Sequence, residues 1–150
     1  MVDKTEIREP NFGIDLPGTW EQTESTEDIA LAFKQVEGPA MLTVVLLGVR
    51  PMFAIADQRR VLEDYVSHRS RFEEGHAPAL AYLEPVVEEF DGRIEARWMG
   101  EDPMLRRVVR HRAILTGGLL ADFAYEASGA EPREFAAEAD EVLASATATA

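Results

Sequence analysis

The side chains with the greatest chemical reach in this chain are three histidines, five serines, several adjacent carboxylates and a run of arginines. A transition-metal site needs three or four nitrogen, sulfur or oxygen ligands converging on one point. His68 and His76 stand eight apart, His111 is remote from both, and the chain has no cysteine. The histidines are therefore read as surface or hydrogen-bonded structural residues, and no metal ligand is assigned. None of Ser25, Ser67, Ser70, Ser128 and Ser145 sits in a Gly-x-Ser-x-Gly turn. Ser67 and His68 would project about 100° apart on a helix, which disfavours a Ser/His nucleophile. The pairs Glu63-Asp64, Glu73-Glu74, Glu88-Glu89 and Glu101-Asp102 read as solvated surface rather than as two carboxylates facing each other across a cleft. Gly117-Gly118 lacks the Gly-Lys-Ser/Thr ending of a phosphate loop, and no Gly-x-Gly-x-x-Gly occurs. The chain is expected not to be an enzyme and to use no cofactor.

The arginines carry more information. The 150 residues include 28 Asp+Glu against 15 Lys+Arg, a net charge of −13. That balance argues against nucleic acid, whose binding is driven by counterion release onto basic surface, and against an anionic membrane leaflet. Within this acidic chain the sign reverses locally: residues 1–28 hold eight acids and two bases, whereas residues 93–112 hold six arginines and three acids. Strand alternation sorts them. If Leu105, Val109, Ala113 and Leu115 face the core, Arg106, Arg110 and Arg112 face away, and Arg93 and Arg97 point opposite to Ile94 and Trp98. Arg93, Arg97, Arg106, Arg110 and Arg112 are thus expected on one sheet face, a candidate surface for an acidic protein partner or a carboxylate. The same residues also fit a salt-bridge ladder, with Asp122 and Glu126 from a neighbouring strand and Glu84 and Glu88 from the other side. Each cross-strand pair would contribute roughly 0.2–1 kcal/mol. Both readings stay open.

The elements that must position these residues follow from hydrophobic period. Residues 1–10 read as a polar frayed tail. Phe12, Ile14 and Leu16 alternate as a strand, Pro17-Gly18 turns, and Trp20 anchors the chain before an acidic loop over 21–28. Residues 29–36 form a second strand. The apolar run 41–49 is too short to cross a membrane, which needs roughly 20 residues, and reads as a central strand buried on both faces. Over 54–74 the period becomes helical, with Ile55, Val61, Leu62, Tyr65, Val66 and Phe72 on one stripe, Gly75 as the C′ residue and Pro78 as a stop. Strands then follow at 80–90 (at an edge or bulged, because of Pro85), 93–99, 104–115 and 119–127. Asp91-Gly92 makes a two-residue hairpin, and a turn spans 100–103. Residues 132–146 close as a helix with Phe135, Ala139, Val142, Leu143 and Ala146 inward, and 147–150 fray. The expectation is one α+β domain over 1–150, with its core at about 11–146 and a twisted, mostly antiparallel sheet of about six to seven strands flanked by two main helices.

The opening Phe12-Gly13-Ile14-Asp15-Leu16-Pro17-Gly18-Thr19-Trp20 resembles the F-x-I-x-L-P-x-x-W entry of Mog1/PsbP-like domains. The order of three strands, a long helix, four strands and a closing helix is similar to the layout of that family, which includes DcrB-related proteins. The resemblance implies a non-enzymatic accessory or chaperone-like role related to secretion, in which the sheet face binds a protein partner; a homodimer is compatible with it. The alternative from a different class is a small-molecule or lipid site between sheet and long helix, lined by Trp98, Tyr65 and Phe72. The first twenty residues contain four acids and no apolar stretch, which reads as no secretory leader. The expected location is cytoplasmic, without membrane insertion.

Overall fold

A computed structural model describes residues 4–25, 27, 29–77, 79–129 and 132–150. Among these residues eleven strands and two helices follow one another as β1 (Lys4–Arg8), β2 (Phe12–Pro17), β3 (Trp20–Thr23), β4 (Ala30–Gln35), β5 (Ala40–Gly48), α1 (Ile55–His76), β6 (Ala81–Tyr82), β7 (Val86–Phe90), β8 (Arg93–Asp102), β9 (Arg107–Thr116), β10 (Leu119–Ser128), α2 (Pro132–Ala144) and β11 (Thr147–Ala148). The main sheet is antiparallel throughout in the order β3-β4-β5-β10-β9-β8-β6, with β7 on the same edge of β8 as β6. A second, small sheet runs β1-β2-β11. The α+β class with two helices stands, and the main sheet has eight strands because short pieces such as β3 and β6 join it.

Two hydrophobic cores flank the main sheet. On one face Phe12, Ile14 and Leu16 of the small sheet and Phe135, Ala139, Val142 and Leu143 of α2 pack against Leu42, Val44, Ile114, Phe123 and Tyr125. On the other face Leu62 and Val66 of α1 pack on Ile94, Ala96, Trp98, Ala113, Leu115 and Leu120. The long strands β9 and β10 are therefore covered on both sides. α2 and the small sheet lie over the β3-to-β9 part of one face, whereas α1 lies over β8 and β9 on the other. As a result, the α2-side face of β8 carries no covering helix among the described residues.

Several local expectations change. Residues 4–8 are not frayed: β1 pairs with β2 and buries Ile7. Residues 20–23 belong to a strand rather than the loop, because Trp20 docks on Tyr125 with ring centroids 6.0 Å apart and its indole donates to Pro17 O at 2.7 Å. Gly75 does not end the long helix; α1 runs to His76, whose ring packs on Phe72 at 4.5 Å and bonds the Phe72 carbonyl at 2.8 Å, and Ala77 closes the turn. Pro78, expected to stop that helix, lies outside the described residues. Pro85 does break 80–90 into β6 and β7, both on an edge. Gly100 is a strand residue rather than a turn residue, since the Tyr82 ring occupies the space a Cβ would fill. The turn comes later: Asp102 Oδ1 accepts from the amides of Met104 and Leu105, and Arg106 adopts a left-handed φ of 51°. Finally, 147–150 do not fray, because β11 pairs with β2 and Thr149 N donates to Asn11 O at 2.9 Å.

Phe123 is fully buried and meets Phe12 edge-on at 5.9 Å, joining the main sheet to the small one. Phe123→Ala is expected to lower the unfolding free energy by about 3–5 kcal/mol in urea melts. A loss below about 1 kcal/mol would contradict this packing.

Candidate functional site

The Gly117-Gly118 turn, with Gly117 at φ 55°, sets the register of the β9–β10 hairpin, placing Thr116 opposite Leu119 and therefore Phe123 opposite Arg112. On the α2-side face lie Arg93, Arg97 and Met99 of β8 with Arg110 and Arg112 of β9, Arg97 directly across from Arg112 and Met99 across from Arg110. Four of the five expected arginines thus share a face. Arg106 does not, because its left-handed turn conformation takes it off the strand.

The four are not equivalent. Arg112 donates through Nε to Glu95 at 2.6 Å and through one terminal nitrogen to Leu143 O at 2.6 Å and Ala146 O at 3.0 Å. It therefore caps the C-terminal carbonyls at the end of α2, where a cation is favoured. Arg93 donates to the other oxygen of the same buried Glu95 at 2.6 Å. Burial pushes the Glu95 pKa up, and the two guanidiniums more than offset this and hold it below its ordinary value. Arg110 pairs with Asp140, a residue whose side chain is 67% exposed, and the Arg110 Nε is buried without an acceptor among the described residues. Arg97 is exposed and has no hydrogen-bond or ion-pair partner among the described residues. The ladder reading is therefore right in kind for Arg93–Glu95–Arg112 but wrong about its acids. Asp122 and Glu126 face the other way, with Glu126 paired to Arg107 at 2.5 Å.

Between α2 and the segment leading into β7 this face forms an open trough of about 710 Å³. Its floor is Arg97, Met99, Arg110 and Arg112; Asp140, Leu143 and Ala144 line the α2 side, and Leu83, Glu84 and Val86 the edge side. Leu83 and Val86 are 64% and 58% exposed and stand along one edge of β8, Leu83 beside Met99 and Val86 across from Arg97. The trough is the candidate functional site.

The opposite face holds a network that the sequence did not reveal. His111 is buried, with Nδ1 2.9 Å from Asp122 Oδ1 and Nε2 3.1 Å from Glu73 Oε1. Tyr65 donates to Asp122 Oδ2 at 2.6 Å and Tyr82 to Glu73 Oε2 at 2.5 Å. Arg69 donates to Glu73 at 3.0 Å and, bidentate, to Glu27 at 2.5 and 2.9 Å. Trp98 stacks on the imidazole at 4.3 Å with the planes 7° apart. The expected pocket lined by Trp98, Tyr65 and Phe72 does not form: the first two are engaged with His111 and Asp122, and Phe72 is 46% exposed against His76. A hollow of about 370 Å³ does lie between α1 and the sheet edge, lined by Val66, Ser67 and Ser70 of α1 and by Tyr82, Leu83 and Val87, so Leu83 borders it as well as the trough. The signal for the network was the two-glycine hairpin, whose register puts Asp122 on the same face as His111; Glu73 arrives from a helix and leaves no pairing signal.

Burial alone would lower the His111 pKa, but the charge and hydrogen bond of Asp122 and those of Glu73 outweigh it and hold the imidazole at about 9. Burial alone would raise Glu73, and the hydrogen bond and charge of His111, the Tyr82 hydroxyl and Arg69 bring it down to about 2. Burial, then the neighbouring carboxylates, raise the Tyr65 and Tyr82 hydroxyls, so both remain donors. Because the folded His111 pKa lies above its ordinary 6.5, its stabilisation is whole below pH 6.5 and disappears as pH climbs through about 9. Glu73 lies below its ordinary 4.5, so its stabilisation is present above pH 4.5 and disappears as pH falls toward 2. Stability is expected to peak between these limits and to fall by about 3 kcal/mol on the alkaline side. Denaturant melts that are flat from pH 6 to 9 would contradict a charged His111.

No family model matches the chain, and no curated protein matches it. Among solved structures it is similar to the solution structure of cyanobacterial PsbP (CyanoP) from Synechocystis sp. PCC 6803, at 11% identity and a TM-score of 0.76, over 99% of this chain and 92% of that one. It is also similar to LpqN of Mycobacterium tuberculosis, a protein involved in cell envelope biogenesis, at 14% identity and a TM-score of 0.57, again over 99% and 92%. At such identities the likeness is one of fold. The two-helix α+β layout, the antiparallel main sheet and the strand-and-tryptophan entry at residues 12–20 together make this a PsbP/Mog1-like fold.

Proposed function

We propose that the chain is a non-enzymatic accessory domain that holds a segment of a protein partner in the trough on the α2-side face. One observation carries the reading: the α1-side face pairs its ionisable groups with one another around His111, whereas the trough exposes Leu83 and Val86 beside Arg97, which has no ion-pair partner among the described residues. Apolar surface next to a cation with no internal acid is what a protein interface needs, since a buried apolar anchor supplies affinity and a bidentate arginine supplies orientation. The likeness to PsbP and LpqN supports the coarser part of the reading, an accessory or envelope-related role without catalysis.

The test places a photo-reactive benzoylphenylalanine at Leu83 or, separately, at Phe53, and illuminates each protein in an extract of the source cells. Leu83 sits beside Met99, while Phe53 is fully exposed beyond Val49, whose amide reaches Gly118 O at the opposite end of the strands. Position 83 is expected to capture a discrete protein that position 53 does not, and Val86→Asp is expected to cut that capture about tenfold. Equal capture at both positions, or capture unaffected by Val86→Asp, would contradict the reading.

A further inference from the structure

We propose that the segment bound in the trough is an extended peptide with a carboxylate and an aliphatic side chain two residues apart; this inference rests on the trough being the binding surface. Same-face positions along a strand repeat at roughly 6.6–6.8 Å. Along β8 that face offers Arg97 and then Met99, and directly across on β9 it offers Arg112 and then Arg110. A peptide laid along these strands has the same repeat, so a carboxylate above Arg97 brings its second neighbour above Met99. Leu83, whose amide donates to Met99 O, stands on the open side to take the aliphatic group, and Val86 lies directly across from Arg97, beside the carboxylate residue.

Charge decides the sign of the anchoring residue. The lining holds three guanidiniums, Arg97, Arg110 and Arg112, against two carboxylates, Glu84 and Asp140, in a chain whose net charge is −13. Arg112 is already committed to Glu95 and to the carbonyls at the end of α2. Arg97 directly faces it across the strands and makes no hydrogen bond or ion pair among the described residues, so its guanidinium is open to a ligand carboxylate. Arg110 retains a buried Nε without an acceptor among the described residues, and its partner Asp140 is largely solvated, so a second ligand carboxylate can compete for it. A polyanion extending past the trough would meet the acidic remainder of the molecule, which favours a short acidic-aliphatic stretch over a nucleic acid or an anionic lipid surface.

The test uses fluorescence anisotropy with the labelled peptide Asp-Thr-Val-Thr-Asp-Thr-Val-Thr as probe. Saturable binding is expected, weakened about tenfold by exchange of both Asp for Asn and about tenfold by Arg97→Glu in the protein. The Arg97→Glu protein is expected to prefer a peptide with Lys in place of Asp, a swap that a merely misfolded variant could not show; Arg97 is exposed, and its circular dichroism should match the wild type. Absence of saturable binding, equal binding of the Asn peptide, or complete displacement by millimolar succinate would each overturn the proposal. If the peptide fails while Leu83 still captures a protein sensitive to Val86→Asp, the acid-x-aliphatic pattern falls and the trough reading survives. If both fail, both fall.

Discussion

His111 lies near the middle of β9 with one ring nitrogen on Asp122 of the adjacent strand and the other on Glu73 of α1. Such a site can exist in few arrangements, because removing the imidazolium leaves the buried Asp122 without a cation and costs about 3–5 kcal/mol. The site therefore fixes more than itself. Through Glu73 it sets the rotation of α1 about its axis, through Tyr82 it ties β6, and through Arg69 and Glu27 it reaches the connection between β3 and β4. Leu62 and Val66 hold α1 on this face by apolar packing, and the ion pairs and hydrogen bonds of Tyr65, Arg69 and Glu73 add directional contacts along the same helix.

That arrangement divides the labour of the two faces. On the α1 side the charged groups near the sheet centre are paired with one another, and Trp98, whose indole nitrogen is buried without an acceptor among the described residues, stacks on the imidazole. On the α2 side Glu95 and Arg112 perform a smaller version of the same task, fastening the end of α2, and their reach stops there. Beyond them, Arg97, Met99, Val86 and Leu83 remain without a covering element among the described residues. The structure thus has one face closed by internal chemistry and one where apolar surface and a free guanidinium lie side by side.

How much of this could be read from residues alone depended on whether the determining contact was local. Asp91-Gly92 gave its hairpin because two residues suffice to turn a strand, and the alternation of Ile94, Ala96 and Trp98 against Arg93, Glu95 and Arg97 gave the two faces of β8. The start of β9 was misplaced because Met104 and Leu105 are apolar enough to pass for strand, while the turn is made by the Asp102 side chain and by Arg106 in a left-handed conformation. The acids opposite the arginines were misassigned for a different reason. Asp122 has the parity that was expected, but β9 and β10 are buried on both faces, so parity alone does not say which face is which. Glu73 was read as helix surface, and only packing of α1 on the sheet turns it inward. Arg97 was recognisable as a surface cation; that it alone of the four arginines sharing this face lacks a partner is a fact of tertiary structure.

The account turns on His111 being a cation inside the folded protein, since that charge is what closes the α1-side face. The most direct measurement is the nitrogen-15 NMR spectrum of the His111 ring, recorded through its long-range carbon-bound proton couplings across a pH series. Two protonated ring nitrogens at pH 7, with deprotonation centred near pH 9, are the expected result. A neutral ring with a single protonated nitrogen at pH 7 would contradict it, and with it the division of the sheet into a closed face and a binding face.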